Sequence, residues 1–118
     1  MIKPIEKDAE LYKGATFKLE FRIKDDGNYT DTSLWGFTFK AVEKNSGGAD
    51  VLATNSTDSP AGIVVDSADN YLITVTISAV DTAAITQTGQ LYFEIDATNN
   101  LGEVERRWIG NINLIEAA

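Results

Sequence analysis

Four stretches of this chain alternate apolar and polar residues at a period of two, and that alternation constrains the fold more than any other feature. In ATFKLEFRI, residues 15–23, the side chains of Phe17, Leu19, Phe21 and Ile23 point one way and those of Lys18, Glu20 and Arg22 the other. WGFTFKAVEK sets Trp35, Phe37, Phe39 and Ala41 against Thr38 and Lys40. YLITVTI aligns Tyr71, Ile73, Val75 and Ile77, and QLYFEIDAT aligns Leu91, Phe93, Ile95 and Ala97. A helix cannot bury such a pattern on one side. A sheet with one dry face and one wet face can.

Weaker strands fill the gaps: DVLAT at 50–54, IVV at 63–65, and EVERRWIGNINLI at 103–115. In the last of these Val104, Trp108, Ile112 and Leu114 share a face, and Gly110 on that face is expected to mark a bulge or bend. Arg106 breaks the pattern, because it falls between Val104 and Trp108 on the expected core side. Its stem can pack at the rim while its head reaches water, or the head can meet a buried carboxylate or a neighbouring subunit. Turn clusters separate the strands: KDDGNYTD, NSGGAD, ATNSTDSPAG, SADN and NNLG. The result is about seven or eight short strands with short connections, an all-β antiparallel sandwich of the immunoglobulin-like kind. The 118 residues suit one domain over 1–118 with a core large enough to stand without crosslinks.

One stretch does not alternate. SAVDTAAI, from Ser78, reads as a turn or two of helix over about 78–86. A helix this short is marginal in water, so packing must hold it. Ser78 is the expected N-cap, Asp81 suits the positive end, and Val80, Ala83, Ala84 and Ile85 are the expected buried side. Such a link lets the chain cross from one sheet to the other and plug the open end of the core. The first 13 residues form an arm or edge strand. Pro4 lacks a ladder donor and belongs at an edge. Ile2, Pro4 and Ile5 must lie on something: the chain's own sheet edge, or a neighbour's sheet by strand augmentation.

Composition narrows the function. There is no cysteine, hence no disulfide, and no histidine, the commonest general base and metal ligand. The net charge of −8 repels nucleic acid and anionic membranes, so neither is an expected partner, and it makes electrostatic steering toward a basic partner plausible. No segment approaches the ~20 apolar residues of a membrane span, and no signal peptide is visible, so synthesis in the cytosol is expected. Asp25, Asp26 and Asp31 lack the alternate-position spacing of a calcium loop. Glu94 and Asp96 lie about 7 Å apart on an outward strand face, a solvated pair beside Arg107 or lysines rather than a glycosidase dyad. A Lys18 crosslink to Asn111 or Asn113 is disfavoured, because Lys18 faces water. The sequons Asn28-Tyr-Thr and Asn55-Ser-Thr are chance matches in a chain without an export signal. No catalytic, metal or cofactor site is expected.

The order of the elements resembles a family of small immunoglobulin-like modules in tail, baseplate and fibre proteins of tailed bacteriophages and prophages, including N-terminal domains of baseplate upper proteins. The resemblance is carried by Gly14–Ile23, Gly36–Val42, Ser78–Ile85, Leu91–Ile95 and Arg106–Gly110, and covers nearly the whole chain. It implies a non-enzymatic structural protein of a virion, a baseplate, tail or fibre component acting through multi-copy contacts with other virion proteins or itself. A capsid decoration protein is the close alternative. A carbohydrate- or receptor-binding module is the alternative from another class, and a hydrolase is more remote. Interface candidates are Ile2, Pro4, Ile5, Tyr12, Tyr29, Tyr92 and Arg106. Trp35 and Trp108 are expected in the core, though a tryptophan at a strand end also serves as an anchor.

Overall fold

The computed structural model describes residues 5–43, 50–58 and 61–116. In chain order the elements are β1 (Ile5–Glu6), β2 (Ala9–Tyr12), β3 (Phe17–Phe21), β4 (Lys24–Asp25), β5 (Asn28–Tyr29), β6 (Gly36–Glu43), β7 (Leu52–Asn55), β8 (Ile63–Asp66), a 3-10 turn (Ser67–Asp69), β9 (Leu72–Ile77), α1 (Ala79–Ala83), β10 (Gln90–Thr98) and β11 (Val104–Ile115). The larger sheet runs β1-β11-β10-β6-β7, with β2 also paired to β11. The smaller sheet runs β3-β9-β8, and β4 and β5 form a hairpin. In immunoglobulin terms β3, β9 and β8 stand where strands B, E and D stand, and β11, β10, β6 and β7 where G, F, C and C′ stand. The fold is therefore the expected immunoglobulin-like sandwich.

The alternation places the core as expected. Phe17, Leu19, Phe21 and Ile23 from one sheet meet Phe37, Phe39, Ala41, Leu91, Phe93, Ile95 and Ala97 from the other, all buried. Phe39 and Phe93 contact across neighbouring strands with centroids 5.9 Å apart, and Phe21 meets Trp108 between the sheets at 4.3 Å. Truncating a phenylalanine buried like Phe93 costs about 3–5 kcal/mol.

Three details differ from the expectation. First, the arm does not pair antiparallel: β1 and β2 both run parallel to β11, with Ile5 opposite Trp108 and Leu11 opposite Leu114. The arm lies on its own domain's sheet edge; Ile2 and Pro4 fall outside the described residues. Gly110 is needed here rather than at a bulge, because a Cβ at this position would stand 1.9 Å from the Lys7 carbonyl oxygen. Second, the bulge in β11 falls at Arg107. Ile95 pairs with Trp108 and Asp96 with Arg106, so Arg107 is the extra residue. One inserted residue reverses which way the side chains before it point. Val104 and Arg106 therefore face water, not the core. Third, α1 spans Ala79–Ala83, and its inward residues are Thr82 and then Ile85; Val80, Ala83 and Ala84 are exposed. Ser78 is the N-cap, accepting from the Asp81 N–H at 3.2 Å. As expected, the helix carries the chain from β9 in one sheet to β10 in the other.

Candidate functional site

The topology gives the sandwich two dissimilar ends. At one, α1 and the turn after β2 close the core. The Thr82 hydroxyl donates to the Ala15 carbonyl at 2.8 Å and accepts from the Gly14 N–H at 3.1 Å. Ile85 packs into the core beside it. At the other end meet the β3–β6 connection, the turn between β8 and β9, the β10–β11 turn and the start of β1. We call this the loop end.

The loop end exposes a disproportionate share of the large apolar side chains: Ile5, Tyr29, Leu34, Leu101 and Val104. Leu34 and Leu101 are 82% and 80% exposed and Val104 66%. Val104 pairs with Thr98, which pairs in turn with Gly36, so these strand ends form one outward row beside Leu34. The local structure holds these side chains out. The Asn99 side-chain oxygen accepts from the Leu101 and Glu103 N–H groups at 2.9 and 3.0 Å, fixing the turn that presents Leu101. The Asp31 carboxylate accepts from the Ser33 N–H at 3.0 Å and hydroxyl at 2.6 Å, fixing the bend before Leu34. Those bonds, the hydroxyl's first, hold the Asp31 carboxyl below its ordinary pKa.

Beneath the exposed row the polar groups are incompletely matched. Thr32 is fully buried, yet its hydroxyl has no hydrogen-bond partner among the described residues. Arg107, displaced inward by the bulge, lies 5.8 Å from the Trp35 ring centre and pairs with Glu105 at 2.7 Å, but its Nε is buried without a partner. A buried polar atom left in this state costs about 1–3 kcal/mol.

The charge at this end leans negative. Arg22 pairs with Asp69 at 2.9 Å, Arg106 with Glu94 and Asp96 at 3.0 and 3.1 Å, and Arg107 with Glu105. Lys24 lies over the Tyr29 ring. Asp26, Asp31, Asp66 and Glu103 are exposed and have no ion-pair partner among the described residues. The rim of the apolar end is thus acidic.

The structure separates the candidates named from the sequence. Ile5, Tyr29 and Arg106 lie at or near the loop end. Arg106 faces outward between two carboxylates, and its hydrogen bond to Asp96 raises its pKa above the ordinary value. The bulge has exchanged the expected roles of the two arginines: Arg106, not Arg107, answers Glu94 and Asp96. Tyr12 sits toward the opposite end, 55% exposed, donating to the Glu10 carboxylate at 3.1 Å, and that bond raises its pKa. Tyr92 lies half-buried mid-sheet between Val42 and Asn111. Tyr12 and Tyr92 share the outer face, but the residues opposite them on β11, Ile115 and Asn111, are about 13 Å apart along the strand. The three tyrosines therefore build no common aromatic platform. Lys18 is exposed on the smaller sheet while Asn111 and Asn113 pair on the larger one, so the core separates the groups a crosslink would join. Among the described residues no three acidic, histidine or cysteine side chains gather as a metal group.

Leu34, Leu101 and Val104 were missed by the sequence reading. Leu101 lies inside the NNLG turn cluster and Leu34 just after KDDGNYTD, and at neither does the local pattern bury the side chain. Val104 was hidden by the bulge.

No family profile matches the chain, and no curated protein does. Among solved structures, Dpr1 IG1, in a crystal structure bound to DIP-eta IG1, is similar over 96% of this chain and 91% of that chain, at 9% identity and a TM-score of 0.47. The assignment of the sandwich rests on the strand order and not on this likeness.

Proposed function

We propose that this chain is a non-enzymatic contact module that works by binding other proteins, and that it does so as a structural component of a tailed-phage virion, in the baseplate, tail or fibre. The observation that carries the contact reading is the loop end, where exposed aliphatic side chains cluster over a core that does not need them. A chain with no outside partner gains nothing by holding leucines in water on two hydrogen-bonded turns. The phage assignment rests on the order of the sequence elements. A capsid location is the competing placement within the same reading.

Mass spectrometry of purified tailed particles, from the strain that carries the gene, tests the virion assignment. The expected result is this chain in fixed stoichiometry, retained through density-gradient purification. Separating tails from heads then distinguishes a tail or baseplate protein from a capsid one. Particles without the chain would overturn the assignment.

A further inference from the structure

We propose that the loop end docks onto a basic protein surface with an apolar centre, using Leu34, Leu101 and Val104 as anchors and Asp26, Asp31, Asp66 and Glu103 as the charged rim. The proposal rests on the contact-module reading above and adds the place and the chemistry of the partner.

Three independent features point to this end. Among the described residues the anchors are the most exposed large aliphatic side chains apart from Val80. Leu101 lies in the turn joining Thr98 to Val104, which pair, and Leu34 lies two residues before Gly36, which also pairs with Thr98. The arginines here already have carboxylate partners, and the two lysines without one, Lys7 and Lys24, lie over the Phe21 and Tyr29 rings, so against the four unpaired carboxylates the balance left over is negative. Beneath the anchors lie the only two buried side-chain polar atoms lacking a partner among the described residues, in Thr32 and Arg107. The electrostatics select the occupant. A second copy would bring the same acidic rim against itself on a chain of net charge −8, and like charges brought face to face disfavour docking. A partner carrying lysine or arginine around an apolar patch meets both the rim and the anchors. Desolvated apolar anchors inside a charged rim are the usual division of labour at an interface, with the anchors setting affinity and the rim setting rate and selectivity.

The test is a nuclear magnetic resonance titration of the full labelled chain with two synthetic peptides, one alternating arginine and leucine, the other alternating glutamate and leucine. The arginine peptide is expected to shift amides at 31–36 and 99–105, and to bind more weakly as salt rises. The Leu34→Ser, Leu101→Ser, Val104→Thr triple variant is expected to bind it about tenfold more weakly. Val80→Ser, which removes an equally exposed apolar side chain at the opposite end, is expected to leave binding unchanged. Equal binding of the glutamate peptide, shifts spread over the whole acidic surface or centred on α1, or unchanged binding by the triple variant would each overturn the proposal. The spectrum of the free triple variant shows directly that it is folded. If the chain is present in purified particles while the triple variant binds normally, the virion reading stands and this one falls. Absence from particles with loss of binding in the variant would do the reverse.

Discussion

Two threonines, both fully buried, mark the difference between the ends of this sandwich. Thr82, at the helical end, satisfies its hydroxyl completely. It donates to Ala15 and lies 3.1 Å from the Ala79 carbonyl, and it accepts from Gly14. Thr32, at the loop end, has no partner for its hydroxyl among the described residues. The helical end also draws Ile85 into the core, whereas the loop end holds Leu34 and Leu101 out in water. The lesson is a division of labour: one end is built to close the core, the other to present a surface.

The largest expected effect probes the tie between the two ends. The arm runs from Ile5 at the loop end to Tyr12 at the helical end, and its Lys7 carbonyl passes so close over Gly110 that no Cβ fits there. Gly110→Ala must push the Lys7 carbonyl away, and we expect a loss of about 3 kcal/mol in urea unfolding. Early trypsin cleavage after Lys7 or Lys13 would accompany it. A variant of wild-type stability would show that the arm contributes little to either end.

Next comes the direct contrast. Thr82→Val keeps the shape but strands the Ala15 carbonyl and the Gly14 N–H, for an expected loss of about 2 kcal/mol. Thr32→Val removes a hydroxyl that has no partner, so stability should hold or rise by up to about 1 kcal/mol. The two midpoints in one urea series decide it, and equal losses would erase the contrast.

The smallest effect is one of pH. The Asp31 carboxyl is depressed in the folded chain by its bonds to Ser33. The stability it contributes is therefore complete above its unfolded pKa, about 3.9, and is lost as pH falls through the lower folded value. Asp31→Asn should lack that contribution: the variant is expected to be slightly less stable than the wild type at neutral pH, with the difference vanishing as pH falls through that window. An identical acid limb in the two proteins would remove Asp31 from the account of the bend before Leu34.

The regular parts of the molecule were legible in the sequence because a sheet with one wet face imposes a period of two. Phe17 to Ile23, Phe37 to Ala41 and Leu91 to Ala97 all bury as their alternation required. The crossover helix was legible too, as a Ser-capped segment between strands of different sheets. What escaped was whatever depends on a single residue's offset. The bulge at Arg107 leaves no local signal, since Arg106 and Arg107 are chemically alike, yet it decides which of them meets Glu94 and Asp96. In α1 apolar character pointed to Val80, Ala83, Ala84 and Ile85; Ile85 does turn inward, but the other inward position is Thr82, whose hydroxyl meets the Gly14 turn. The parallel docking of the arm is a long-range choice, and Gly110 was its only trace. The candidate surface was harder still. An exposed leucine in a turn carries no periodic signature, and only the topology shows that the turns of Leu34 and Leu101 meet at one end.

The central claim is that the loop-end anchors are surplus to the fold while the helical end is not. Equilibrium urea unfolding of the Leu34→Ser, Leu101→Ser, Val104→Thr triple variant, beside Thr82→Val, tests it most directly. The account predicts that three substitutions at exposed sites shift stability by only about 0.5 kcal/mol each at most, while the single buried one costs about 2 kcal/mol. A triple variant less stable than Thr82→Val would mean that these side chains serve the fold itself, and would contradict the assignment of the loop end to a partner.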